Sequence, residues 1–254
     1  MPTWAVYAIV CPMVFLSGFV DAIAGGGGFF SLTAYLLAGL PVHNAIATNK
    51  LSAAIGTSLA AYRYTRKGFV PWKLAVICIP AALLGSSLGA RLALAVSDTA
   101  FRWIMLCIIP VSGFYVLKKK DLDGGHSLAE LPYGRTAVLT GLVALGIGVY
   151  DGFYGPGTGT FLLLLLTGLV HLDLNTSAGT AKITNWATNV AALAVFITSG
   201  NVLYVLGLTA SVFSLLGNYL GTVSFYRRGS KLARPMILVV LVVFFGKLLY
   251  ELLG

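Results

Sequence analysis

Residues 18–28 read GFVDAIAGGGG, and about 130 positions later residues 148–159 read GVYDGFYGPGTG. In each stretch one carboxylate, Asp21 or Asp151, lies shortly before a glycine-rich interruption in a very apolar segment. Runs of glycine and proline break helices, and a charged side chain is costly inside a bilayer. A duplicated, interrupted and charged segment is typical of the binding site of a membrane transporter.

The composition supports this membrane interpretation. The chain of 254 residues is 58% hydrophobic and 10% charged, and its mean hydropathy is +0.90. Soluble domains average about 25% charged residues, so the composition predicts an all-α polytopic membrane protein surrounded by lipid. The net charge of +9 does not indicate a nucleic-acid partner, because the basic residues lie in short loops between apolar runs, as the positive-inside rule describes.

The duplication extends beyond the two glycine breaks. At a common offset of 132 positions, TNKLS at 48–52 aligns with TAKIT at 180–184, and LGSSLG at 84–89 aligns with LGNYLG at 216–221. Several blocks in one order predict two homologous halves. We place them at residues 1–118 and 132–254, joined by a polar cytoplasmic linker at 119–131.

Each half contains one apolar run that is too short to cross a bilayer. These runs are 29–40 and 159–170, whereas spanning takes about 20 residues. Each is predicted to be a half-helix that forms a hairpin with the helix before the break. With three further helices per half, the expected total is about eight to ten membrane segments. The longer runs are 4–24, 45–62, 69–97, 100–117, 136–153, 176–198, 202–226 and 235–253.

The first of these runs is expected to stay in the protein rather than to be a cleaved signal peptide. No Lys or Arg precedes it, and Asp21 lies within it.

Equivalent loops of the two halves carry opposite charge bias. The loop at 63–73 contains four basic residues and its counterpart at 198–202 contains none. Conversely, the loop at 226–234 contains four, and its counterpart near Asp98 has only the flanking Arg91 and Arg102. The positive-inside rule therefore predicts that the halves are inverted, with a pseudo-two-fold axis in the membrane plane. Both termini are expected outside the cytoplasm, with the loops at 63–73, 118–135 and 227–234 inside.

The start of each half-helix is a candidate anion site. Free N–H groups and the positive end of the helix dipole point at whatever lies there, and glycines allow a ligand to approach the backbone. The alternative is that the glycines serve only close helix packing. The candidate residues in the two breaks are Gly25, Gly26, Gly27, Gly28, Gly155, Gly157 and Thr158.

A polar stripe follows each half-helix. Lys50 and Lys182 lie about two turns into helices rich in small residues, accompanied by Thr48, Asn49 and Asn185. An ammonium within such a stripe indicates a substrate path, and the alternative is a lysine that extends to the membrane surface. Asp21 and Asp151 are either proton carriers or structural partners of the two lysines. The balance of two acids and two bases favours pairing.

No pattern in the chain indicates an enzyme or a metal site. The three cysteines and three histidines have no ligand spacing, and the glycine runs lack the strand context and the Lys-Ser/Thr ending of a phosphate-binding loop. We expect no metal and no cofactor. A membrane scaffold or receptor subunit, a carboxylate transporter and a proton-coupled cation transporter remain alternatives, and a homo-oligomer remains open.

The paired motifs resemble the TauE/SafE family of membrane proteins, and within it the bacterial YfcA-type branch. The similar strings are GFVDAIAGGGG at 18–28, AIATNKL at 45–51, VYDGFYGPG at 149–157 and RPMI at 234–237. The resemblance implies a multi-pass protein of the cytoplasmic (inner) membrane that moves sulfite or another small organosulfur anion. Together with the charge pattern, it predicts a small-anion transporter with a midplane site between the repeats.

Overall fold

The computed structural model of the protein describes residues 3–97 and 132–228, together with Lys231, Leu232 and Pro235. The linker at 119–131 and the predicted runs at 100–117 and, beyond Pro235, 235–253 lie outside these residues. The two described segments form eight helices: α1 (Thr3–Ala24), α2 (Gly28–Leu37), α3 (Val42–Arg66), α4 (Trp72–Ala95), α5 (Tyr133–Phe153), α6 (Thr158–Gly168), α7 (Leu174–Thr198) and α8 (Tyr204–Arg228).

Four of the described helices are long and apolar enough to cross a membrane, namely α1, α4, α5 and α8. Their outward faces carry exposed apolar side chains such as Val76, Leu142 and Val205. In a chain this apolar, such faces are in contact with lipid. The protein is therefore a multi-pass, all-helical membrane protein in the part of the chain that the structure describes.

The two most polar long helices lie in the middle of the bundle. Helices α3 and α7 have 25 residues each, and at about 1.5 Å per residue they are long enough to span. Helix α3 contacts α1, α2, α7 and α8, while α7 contacts α3, α4, α5 and α6. Their polar side chains are therefore buried by protein rather than exposed to lipid, which explains why these spans are less apolar than their neighbours.

Helices α3 and α7 run antiparallel. Near the start of α3, Asn44 Nδ2 donates a 3.0 Å hydrogen bond to the main-chain oxygen of Asn201, in the loop after α7. Near the start of α7, Gly179 packs directly on the main chain of Phe69, in the loop after α3. The start of each helix thus lies beside the end of the other.

Glycines bring α4 and α5 into direct backbone contact. A Cβ atom added to Gly85 would overlap the main-chain oxygen of Leu145, and one added to Gly89 would overlap that of Val149. Four residues further along α4, the contact on α5 is also four residues further along, so the two helices are parallel. Small residues permit this close approach of membrane helices.

Helices α1 and α8 pack in the same way. A Cβ atom added to Gly217 would overlap the main-chain oxygen of Phe15, and one added to Gly221 would lie 2.5 Å from that of Phe19. These glycines occupy the positions equivalent to Gly85 and Gly89 at the 132-residue offset. The second helix pair therefore repeats the contacts of the first.

The two predicted interruptions are present. Helix α1 ends at Ala24 and the 10-residue α2 begins at Gly28, while α5 ends at Phe153 and the 11-residue α6 begins at Thr158. Both short helices are mostly buried. Non-helical backbone at membrane depth is tolerated only where protein or a polar cavity surrounds it.

Candidate binding site between two helix breaks

The two breaks touch each other inside the bundle. Gly25, at φ +78°, lies so close to Gly159 that a Cβ atom on Gly159 would be 2.5 Å from the Cα of Gly25. The positive φ at Gly25 is one that L side chains rarely adopt, and neither position has room for a methyl group. The glycines therefore allow two backbones to meet where each helix is interrupted.

Side-chain hydroxyl groups bind three main-chain oxygens at the first break. These oxygens accept hydrogen bonds: Ala22 O from Tyr64 Oη at 3.0 Å, Ala24 O from Thr160 Oγ1 at 2.8 Å and Gly27 O from Ser17 Oγ at 2.7 Å. A buried carbonyl without a partner would destabilise the fold, so these bonds hold the broken backbone at membrane depth.

The amides of the same break remain available. The N–H groups of Gly26, Gly27 and Gly28 donate to no acceptor within the described residues. They precede and begin α2, so they carry the partial positive charge of a helix N-terminus. This geometry suits an anion.

The second break holds a buried ion pair with Lys50. Lys50 Nζ donates to Asp151 Oδ2 at 2.7 Å and to Asn189 Oδ1 at 3.2 Å. Asp151 Oδ1 accepts a bond of 2.7 Å from Thr158 Oγ1, so both carboxylate oxygens are bonded. A Cβ atom on Gly155 would lie 2.9 Å from Lys50 Nζ, so this glycine, at φ +100°, lets the ammonium reach the break.

Lys182 and Asp21 form a second buried pair beside the first break. Lys182 Nζ donates to the main-chain oxygen of Asp21 and, at 3.1 Å, to its Oδ2. Asp21 Oδ1 receives no hydrogen bond from any described residue. The position equivalent to Thr158 is Gly28 in the first half, and glycine has no hydroxyl group that could bind Asp21.

Each lysine therefore pairs with the aspartate of the other half. Lys50 and Lys182 are 1% and 3% exposed, which shows that neither side chain extends to the membrane surface. The sequence left open whether the aspartates pair with the lysines or carry protons. The structure shows both pairs formed, and pairing does not exclude a proton at either carboxylate.

A polar cavity lies between the two breaks and the central helices. The space open to the centre of a water molecule is about 40 Å³, room for roughly three waters. Many of the predicted site residues line it: Asp21, Gly25, Gly28, Asn49, Lys50, Asp151, Gly155, Thr158 and Asn185.

The other predicted site residues lie outside the cavity wall. Thr48 Oγ1 accepts a 3.1 Å bond from the amide of Leu203, and Lys182 is bonded to Asp21. Gly157, at φ +85°, packs against the Phe29 ring, 3.0 Å from an added Cβ atom. Gly26 and Gly27 are part of the same loop as the lining glycines, but they do not face the cavity.

The sequence analysis did not assign several lining residues to the site. These are Val14, Ser17, Gly18, Ser31, Ser52, Ser214 and Asn218, whereas the lining residues Ala53, Thr57 and Asn189 lie on the polar stripes that the sequence indicated as a substrate path. Asn218 lies in the repeat block LGNYLG, at the position where the first half has Ser86. The larger amide side chain at that position was one sequence signal that could have identified Asn218. The Oδ1 atoms of Asn49 and Asn218 are buried without a partner among the described residues, which leaves bonding capacity for a ligand or water.

The described residues contain no cluster of three or more His, Cys, Asp or Glu side chains that would hold a metal ion.

Interrupted helices that meet around a buried polar cavity are typical of multi-pass membrane transporters. The chain belongs to the family described as "Sulfite exporter TauE/SafE", which matches residues 10–248.

Relatives with curated names agree with this assignment. A "Probable membrane transporter protein" of Haemophilus influenzae is 33% identical over 247 residues, covering 96% of this chain and 94% of the relative. The "Probable membrane transporter protein YfcA" of Escherichia coli K12 is 35% identical over 240 residues, covering 93% and 87%. These relatives are named as transporters and not as enzymes. No solved structure matches the chain.

Proposed function

We propose that the protein transports a small anion, sulfite or an organosulfur anion, through the cavity between the two breaks. The main support for this proposal is that Lys50 and the N-terminus of α2 line the same cavity. An ammonium has three donors, and two of those on Lys50 are bonded, to Asp151 and Asn189. The third N–H and the free amide of Gly28, which also lines the cavity, favour negative charge.

The size and lining of the cavity favour a small, oxygen-rich anion. The volume of about 40 Å³ admits only a few heavy atoms, and hydroxyl and amide groups from six helices line it. Sulfite, a short sulfonate and a small carboxylate would all satisfy these donors. The preference for sulfur comes from the family to which the chain belongs.

We also infer that the two halves, 1–118 and 132–254, are inverted repeats in the membrane. Three observations support this: α3 and α7 are antiparallel, the glycine contacts of α4 with α5 recur between α8 and α1, and the two ion pairs are exchanged between halves. Such repeats place the site at their interface, near the bilayer midplane.

The arrangement of charge supports a cytoplasmic-membrane protein whose N-terminus faces outward. Arg63, in the last turn of α3, stacks on the rings of Tyr219 and Tyr226 near the end of α8, where Arg227 and Arg228 also lie. The basic ends of α3 and α8 are thus on one side of the bundle. By the positive-inside rule, we assign that side to the cytoplasm.

Ligand-induced stabilisation of the purified protein tests the substrate class. A ligand at 100 times its Kd stabilises the folded state by about 2.7 kcal/mol. Sulfite and methanesulfonate should raise the unfolding temperature in detergent, and choline chloride at equal ionic strength should not. Stabilisation by cations alone would contradict the proposal and would favour a cation site at the two aspartates. If no small ion stabilises the protein, the proposal is also wrong and a scaffold or receptor role is favoured.

A further inference from the structure

The buried charges around the cavity sum to zero. In the described part of the chain, the buried charged residues are Asp21, Lys50, Asp151 and Lys182, and they form the two ion pairs. An anion entering this site would add a full negative charge, and the described residues hold no further buried cationic side chain to balance it. An uncompensated charge in a low-dielectric interior is strongly unfavourable. Anion binding therefore calls for a positive charge that arrives with it.

The two aspartates differ in their capacity to take that charge as a proton. Both oxygens of Asp151 are bonded, to Lys50 and Thr158, and its side chain is 2% exposed. Asp21 lines the same cavity as Asp151, but it has one oxygen without a partner among the described residues and a side chain that is 12% exposed. A proton on Asp21 Oδ1 would break no hydrogen bond, whereas a proton on Asp151 Oδ1 would require the Thr158 hydroxyl to turn from that oxygen to Gly155 O, which lies 2.6 Å away.

The groups that face Asp21 make its protonation dependent on the anion. Lys182 from α7 opposes a proton on Asp21, while Tyr64 from α3 donates to the next main-chain oxygen, that of Ala22. Lys50 and Asp151 lie on the same cavity, and α2, α6 and α8 contribute only hydroxyl, amide and backbone groups to it. A bound anion would offset the effect of Lys182, so the proton and the anion would each raise the affinity for the other.

Resting on the proposed function, we propose that Asp21 takes up one proton with each monovalent anion, so that the protein is an electroneutral anion–proton symporter. The proton passes from the aqueous phase to Asp21 Oδ1 as the anion enters. It leaves Oδ1 for the opposite aqueous phase when the anion departs. Lys182 keeps its hydrogen bond to the main-chain oxygen of Asp21 throughout, because that bond does not involve the carboxyl group.

The test uses the full-length protein in proteoliposomes with methanesulfonate, a strong acid whose neutral form does not leak through lipid. A trapped pH indicator reports protons, and a potassium gradient with valinomycin sets the membrane potential. The wild-type protein should move one proton per anion, and the membrane potential should leave methanesulfonate accumulation unchanged. A tenfold proton gradient should drive tenfold accumulation.

The variant Asp21→Asn should separate the anion from the proton. The fixed charge of Lys182 would then compensate the anion permanently. Methanesulfonate should enter without protons, and its accumulation should follow the potential, tenfold for about 60 mV. Asp173→Asn is the matched control, because Asp173 caps α7 with bonds to the amides of Asn175 and Thr176 and does not line the cavity. It should behave as the wild type.

Wild-type flux that carries net charge and no protons would overturn this inference and leave anion transport intact. Proton movement that persists in Asp21→Asn would overturn the assignment to Asp21. The wild-type measurement decides the symport claim even if the variant fails to fold. The absence of any oxyanion flux would contradict the proposed function itself, and with it this inference.

Discussion

Lys50 Nζ and Asp151 Oδ2 lie 2.7 Å apart, although the two residues are separated by 101 positions in the chain. Both side chains are 2% exposed. The pair joins the polar stripe of one half to the glycine break of the other. The contact therefore holds the halves together at the point where the cavity forms.

Removing one partner of this pair should destabilise the protein. Asp151→Asn leaves the Lys50 ammonium without a buried counter-charge, and such changes cost about 3–5 kcal/mol. The double variant Lys50→Met/Asp151→Asn should be less destabilised than the single variants, because neither charge is left unpaired. Thermal unfolding in detergent measures both effects. Single variants as stable as the wild type would show that the pair contributes little to the fold.

Contact between the two breaks should tolerate no added methyl group. Gly159→Ala places a Cβ atom against the backbone of Gly25, so we expect severe destabilisation and loss of transport. Gly146→Ala, also in a helix but with no heavy atom within 4 Å of its Cβ position, is the matched control. It should leave stability unchanged or raise it by up to about 1 kcal/mol. Equal unfolding temperatures for the two variants would contradict close contact of the breaks.

Lys182 should be needed for transport as well as for pairing. Lys182→Met leaves Asp21 as a lone buried carboxylate, so we expect a less stable protein without anion flux. Adding Asp21→Asn should restore stability but not flux, because the positive charge remains absent. Unfolding temperature and flux are measured on the same preparation. Full transport by the double variant would show that Lys182 is only structural.

Accessibility from outside the cell tests the inverted orientation. In a background without native cysteines, a membrane-impermeant thiol reagent should label Asn201→Cys but not Arg66→Cys. Asn201 lies in the loop after α7, and Arg66 lies in the last turn of α3, on the side that we assign to the cytoplasm. The reverse labelling pattern would contradict the orientation of both halves.

The broken helices could be predicted from sequence because their signals are local. The glycine runs at 25–28 and 155–159, and the short apolar runs after them, appear within single windows. The polarity of α3 and α7 was also visible, and it has a physical reason, since both helices are buried among the others. Local composition was therefore sufficient to predict most of the described helices and both of their interruptions.

The partners across the cavity could not be predicted in the same way. Charge balance favoured pairing, but only the three-dimensional arrangement assigns Lys50 to Asp151 and Lys182 to Asp21. On α8, Ser211, Ser214, Asn218 and Thr222 recur at helical spacing and marked the face that includes the lining residues, but the sequence analysis did not use this signal. Thr48 belongs to the polar stripe, yet its hydroxyl binds the amide of Leu203, a contact 155 positions away.

Selective flux is the most direct test of small-anion transport. Purified wild-type protein in sealed liposomes should pass radiolabelled methanesulfonate or sulfite down its gradient, and excess unlabelled sulfite should compete with it. Protein-free liposomes and labelled choline provide the baselines, and neither should show flux above background. Oxyanion flux that requires the protein is the result that our account predicts. Choline or other cation flux with no response to any oxyanion would contradict it and would assign the site to Asp21 and Asp151.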